Sequence, residues 1–111
     1  MHVGDLDDNS NNPPSPQWQA QVVVTIHDAS HSPVDSATVT AVVTFGSSFA
    51  TLSCATGPSG QCQLAQLVDD TVGNATFIIV SVTKSGFSYN LLANHDPDGD
   101  STGTVITVNR P

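Results

Sequence analysis

The chain has 111 residues, 38% of them hydrophobic and 11% charged, with a formal net charge of −8 at pH 7. That length suits one domain around one core. Lys84 and Arg110 are its only Lys or Arg residues, which argues against phosphate backbones and anionic lipid surfaces as partners. No apolar run approaches the ~18 residues a membrane-spanning helix needs. All ten acidic residues are Asp. Asp favours turns and caps, where Glu favours helix interiors, and with Val, Thr and Ser abundant the composition points to an all-β fold.

The first segment, "MHVGDLDD", reads as an N-terminal strand. It lacks the basic and apolar regions of a signal peptide, so the chain reads as a piece of a longer protein. "NSNNPPSP", residues 9–16, is polar and Pro-rich, an extended connector inside a single domain covering 1–111. In "WQAQVVVTIH", Trp18, Ala20, Val22, Val24 and Ile26 share one face and polar residues hold much of the other, the pattern of a half-buried strand. "HDASHSPVDS" is turn chemistry, and "ATVTAVVTF" repeats the alternation with Val39, Ala41, Val43 and Phe45.

"CATGPSGQC" follows, between strands near residues 50–56 and 61–67. Pro58 supplies a fixed φ and Gly60 accepts a positive one, so the segment reads as a short hairpin that brings Cys54 and Cys62 together. A disulfide is preferred over two free thiols, which implies an oxidising compartment. Two Cys without a neighbouring His supply only half a zinc site. "VDDTVGN" is a loop, and "NAT", residues 74–76, a polar turn that happens to match a glycosylation pattern. "ATFIIVSVTK" is apolar on both faces and reads as a central strand, followed by "GFSYNLLAN" and "TGTVITVNR". Seven or eight short strands separated by turn signals predict an immunoglobulin-like β-sandwich.

"NHDPDGDSTG" places Asp96, Asp98 and Asp100 at alternate positions with no nearby cation. Calcium takes six to eight oxygens, and a D-x-D-x-D turn presents carboxylates to one point. This is no EF-hand: counted from Asp96, the places that need Gly and a bidentate Glu hold Ser101 and Thr107. Acids from elsewhere must complete such a site, and Asp5 and Asp7 are the candidates, with Asp8 able to replace either. The alternative is a solvated acidic turn.

Taken together, "HVGDLD", the strand opened by Trp18, "VTIHDASHSPVDSATVT", the C-x7-C hairpin and "NHDPDGDSTGTVITV" resemble an immunoglobulin-like accessory module of secreted bacterial hydrolases, notably serine proteases and nucleases. The resemblance covers nearly the whole chain. It implies a non-catalytic extracellular domain attached to catalytic or surface domains. The alternative is a binding module that targets an attached hydrolase to polysaccharide, protein or cell wall, with Trp18, Phe87 and Tyr89 as a stacking platform. Trp18 shares a face with Ala20 and Val22, however, which places it in the core.

Two further patterns carry less. "HDASH", His27 to His31, has the spacing of zinc ligands on a helix but lacks the Glu and the helix itself, so these read as turn histidines. His2 and His95 flank the two Asp segments without a catalytic role. Ser, His and Asp all occur, but with no G-x-S-x-G elbow no enzyme is expected.

Overall fold

Trp18, Ala20, Val22, Val24 and Ile26 are all fully buried, so the most regularly alternating segment of the sequence forms the floor of the core. The computed structural model describes residues 1–12, 16–97, 99 and 101–111. Seven strands form: β1 His2–Asp8, β2 Gln17–His27, β3 Thr38–Phe45, β4 Ser48–Ala55, β5 Gln61–Asp69, β6 Asn74–Thr83 and β7 Val105–Asn109. They build two antiparallel sheets, β1-β2-β5 and β4-β3-β6-β7, with Val, Ile, Leu, Phe77 and Trp18 side chains packed between them. The indole of Trp18 donates to the Val72 carbonyl at 2.8 Å, which satisfies its one polar atom inside the core.

The strand order is that of an immunoglobulin-like sandwich in which β4 lies beside β3 rather than on the sheet of β1, β2 and β5. Gly46 explains the placement. It is the first of two residues between paired Phe45 and Ser48, at φ 61°, as type II′ hairpin turns require. That turn holds β4 against β3 along its length. β6 lies between β3 and β7, the central position expected for it, with Ala75, Phe77, Ile79 and Val82 buried and Val80 exposed on the outer face.

Two expectations are corrected here. β4 and β5 do not form a hairpin: they are edge strands of different sheets, and the segment between them crosses from one sheet to the other. Cys54 and Cys62 are bonded (Cα–Cα 5.9 Å), so the disulfide joins the two sheets at one flank of the sandwich. The buried Thr56 supports the crossing, donating to the Val34 carbonyl at 2.7 Å and accepting from Ala37 N at 2.9 Å. Second, "GFSYNLLAN" is no strand. It contains only a bridge between Lys84 and Phe87 and a 3₁₀ turn at Leu91–Ala93. In the connector, Asn9 and Asn11 continue the pairing with β2 through hydrogen bonds to Gln21 and Gln19, so β1 and β2 form a longer ladder than the Pro-rich sequence suggests.

Candidate metal centre

A β-bulge at Gly4 sets which side chains leave the core. Val3 pairs with Ile26 and Asp5 with Thr25, so Gly4 is an extra residue on β1. The bulge lets Val3 and Leu6, three apart, both point inward, while His2, Asp5 and Asp7 line the outer face. His2 lies directly across from His27. Gly4 is needed for that pair, since a Cβ there would stand 2.2 Å from His27 Nδ1.

The free edge of β1 is taken by the loop between β6 and β7. The Met1 amino group donates to the Ser88 carbonyl at 2.7 Å, Asn90 N to the Met1 carbonyl at 2.8 Å, and His95 N to the Val3 carbonyl at 3.1 Å. Asn94 is the hub. Its Oδ1 accepts from Val3 N at 2.8 Å, and its Nδ2 donates to Tyr89 Oη at 2.6 Å and to Thr104 Oγ1 at 3.0 Å. Gly103, at φ 84°, lets the returning chain pass close: a Cβ there would lie 2.5 Å from His95 N. His95 and Asp96 are thereby held against the outer face of β1.

One consequence is a group of carboxylates. Asp5 lies within hydrogen-bonding range of Asp96 and Asp7, and its acidity is lowered by burial first, then by those two contacts and by repulsion from the same neighbours, raising its pKa to about 7. Its Oδ1 is buried without a donor among the described residues. Ser101 Oγ donates to Asp96 Oδ2, and Gly103 N to Ser101 Oγ at 3.0 Å. Of the five candidate ligands, the fold therefore gathers Asp5, Asp7 and Asp96, while Asp98 and Asp100 lie outside the described residues. Asp8 is exposed and accepts from Ser10 N at 2.8 Å, a local turn contact. The two strong cations are engaged elsewhere, Lys84 at the Asp35 carbonyl and Arg110 at the Asp70 carbonyl.

The second consequence concerns the chain's four histidines. His2, His27, His31 and His95 cluster together, each able to offer a ring nitrogen within 4.8 Å of the other three. Ring centroids are 5.1 Å apart for His2–His31 and His2–His95, 5.3 Å for His31–His95, 6.0 Å for His2–His27 and His27–His31, and 6.4 Å for His27–His95. His31 reaches the group from the turn after β2, where it adopts φ 62°. Asp28 braces that turn by accepting from Ser30 N and Ser32 N. Burial, followed by the neighbouring imidazoles, lowers the pKa of both His2 and His27. Both rings are therefore held toward the neutral form.

Sequence reasoning placed His27 and His31 in a turn but missed this convergence, because the helical spacing of "HDASH" was the wrong test. The signal lay in the hairpin register: pairing β1 with β2 puts His2 opposite His27. Elsewhere, the fully buried Trp18 takes no part in any exposed platform. Phe87 and Tyr89 instead line an open groove with Ser36, Thr38, Lys84 and Ser85. No helix among the described residues is long and apolar enough to cross a membrane. Searches of protein-family models, curated proteins and solved structures found no match to this chain.

Proposed function

We propose that the chain is a non-catalytic accessory module of a secreted bacterial protein, and that calcium held by Asp5, Asp7 and Asp96 fastens its N-terminal strand to the β6–β7 loop. The carrying observation is the convergence of three carboxylates around a buried Asp5 oxygen that has no donor among the described residues. Calcium suits such a set because it takes hard oxygen donors in flexible geometry. When bound it would neutralise the mutual repulsion of the acids. Asp98 and Asp100 are further donor candidates in the adjoining sequence. Secretion is supported by the Cys54–Cys62 bond, which persists in oxidising compartments.

Thermal melts of metal-free protein with and without added calcium test the clip. Extracellular calcium modules have dissociation constants of about 0.1 to 1 mM. At ten times such a constant the linkage is RT ln 11, about 1.4 kcal/mol, or roughly 6 °C for a domain of this size. Asp5→Asn should abolish most of that rise. Equal melting temperatures in both buffers, with no calcium heat in titration calorimetry, would reduce the cluster to a solvated acidic turn.

A second reading, targeting to polysaccharide, protein or cell wall, is favoured by the groove beside Phe87, which is 42% exposed. Co-sedimentation with insoluble polysaccharide or cell walls, lost in Phe87→Ala, would support it.

A further inference from the structure

We infer that His2, His27, His31 and His95 form a closed site for a transition-metal dication of the zinc class. This goes beyond the calcium reading and does not rest on it. Four imidazoles suit zinc and its neighbours, whereas calcium takes oxygen donors.

The spacing carries the argument. A tetrahedral zinc bonds imidazole nitrogen at about 2.0 to 2.1 Å, so each ring centroid would stand about 3.2 Å from the ion and about 5.2 Å from every other centroid. The six observed centroid distances run from 5.1 to 6.4 Å, and three of them, among His2, His31 and His95, are within 0.2 Å of the tetrahedral value. His27 must approach by about an ångström, a movement within side-chain reach. Ordinary ring packing also tolerates centroid separations of about 4.5 to 7 Å, but pairwise packing does not by itself bring one nitrogen from each of four rings within 4.8 Å of the others.

Polar satisfaction adds a second, independent observation. His2 Nε2 and His27 Nδ1 are buried with no hydrogen-bond partner among the described residues, a cost that folded chains rarely leave standing. His95 has the complementary feature. Its Nδ1 lies 3.2 Å from the Ala93 carbonyl, which can only accept, so Nδ1 carries the proton and Nε2 keeps its lone pair. A backbone carbonyl on the far nitrogen is how metal-binding histidines are commonly oriented. The ligands come from β1, the end of β2, the following turn and the β6–β7 loop. An ion there would tie together three segments distant in sequence, and with four protein ligands it leaves no position open for substrate. The site is therefore structural.

Zinc chloride titrated into metal-free protein, followed by calorimetry in a non-coordinating buffer with calcium present throughout, is the test. One zinc per chain is expected, and cobalt in its place should give the visible absorption of a tetrahedral nitrogen site. His31→Gly removes one ligand at an exposed position whose positive φ glycine accepts freely, so the variant folds whether or not the site exists. It should weaken zinc at least about 10-fold, and His95→Ala about 100-fold or more, the losses typical of a disrupted metal shell. No zinc uptake by the unaltered protein overturns the inference. So does uptake whose affinity is unchanged in His31→Gly, which would put zinc on the carboxylates or other surface groups.

Discussion

Gly4→Ala is the sharpest probe of the outer face of β1. The added Cβ would meet His27 Nδ1 at 2.2 Å where ordinary contact begins at 3.4 Å, so the ring or the strand must move by about 1.2 Å. The nearest atoms are all in the ring of His27, so relief requires that ring to shift within the four-imidazole cluster to which it belongs. Overpacking of this kind typically costs about 1 to 3 kcal/mol. At about 4 °C per kcal/mol for a chain of this length, the melting temperature should fall by about 4 to 12 °C in chelator. Gly73→Ala, which meets nothing within 4 Å and has ordinary φ, is the control and should lie within about 0.5 kcal/mol of the parent. The decisive measurement is the double variant. Adding His27→Ala removes the obstructing ring, so Gly4→Ala should then cost little, and the two changes should be non-additive by about 1 kcal/mol or more. A Gly4→Ala protein that melts with the parent, or strict additivity, would refute the packing described for the bulge.

Asn94→Ala leaves Val3 N without its acceptor and removes two further hydrogen bonds, so chemical denaturation should show a loss of about 1 to 3 kcal/mol. Reducing Cys54–Cys62, eight residues apart, should cost about 2.5 kcal/mol on the chain-entropy estimate, measured by melts with and without reductant. Asp5 predicts a pH effect in metal-free protein. Its folded pKa of about 7 lies above the ordinary 3.8, so its contribution is fully present below 3.8 and is lost as pH rises through 7. His2 and His27, with lowered pKa values, act in the opposite sense, favouring the folded state above 6.5 and losing that contribution as pH falls. Asp5→Asn should therefore remove the decline toward pH 7 while sparing the histidine limb, and an unchanged stability–pH curve would contradict the carboxylate geometry. Calcium should bind more weakly at pH 6 than at pH 8, because protons compete for Asp5.

Much of the fold was legible because alternation is a local signal. The inward faces of β2 and β3 could be read from Trp18 to Ile26 and from Val39 to Val43, and β6 declared itself central by being apolar on both sides. What escaped was non-local. Nothing between Cys54 and Cys62 distinguishes a hairpin from a crossing between sheets. The difference is made by Gly46, which commits β4 to β3 before the Cys segment begins. The candidate site divides the same way. Acidic residues were noticed because they cluster in sequence, and Asp5, Asp7 and Asp96 do converge. The histidines are spread from residue 2 to residue 95. Only the register of β1 on β2 and the backbone contact of His95 with Val3 bring them together.

The path of β1 and β7 has a mechanical consequence. Residue 3 and residue 104 both contact Asn94, while the side-chain amide of Asn12 donates to the Pro111 carbonyl at the other end of a body 43 Å long. β1 and β7 therefore run in the same direction, entering at the histidine end and leaving at the opposite one. In the appended-module role proposed above, tension along the polypeptide would pull each terminal strand parallel to its own axis. The β1–β2 and β6–β7 ladders would then be loaded in shear, all rungs together, instead of being unzipped one at a time. Resistance to such a pull is set by the unfolding barrier. The contacts that grip β1 from the side, through Asn94 and His95, stand where sliding would have to begin.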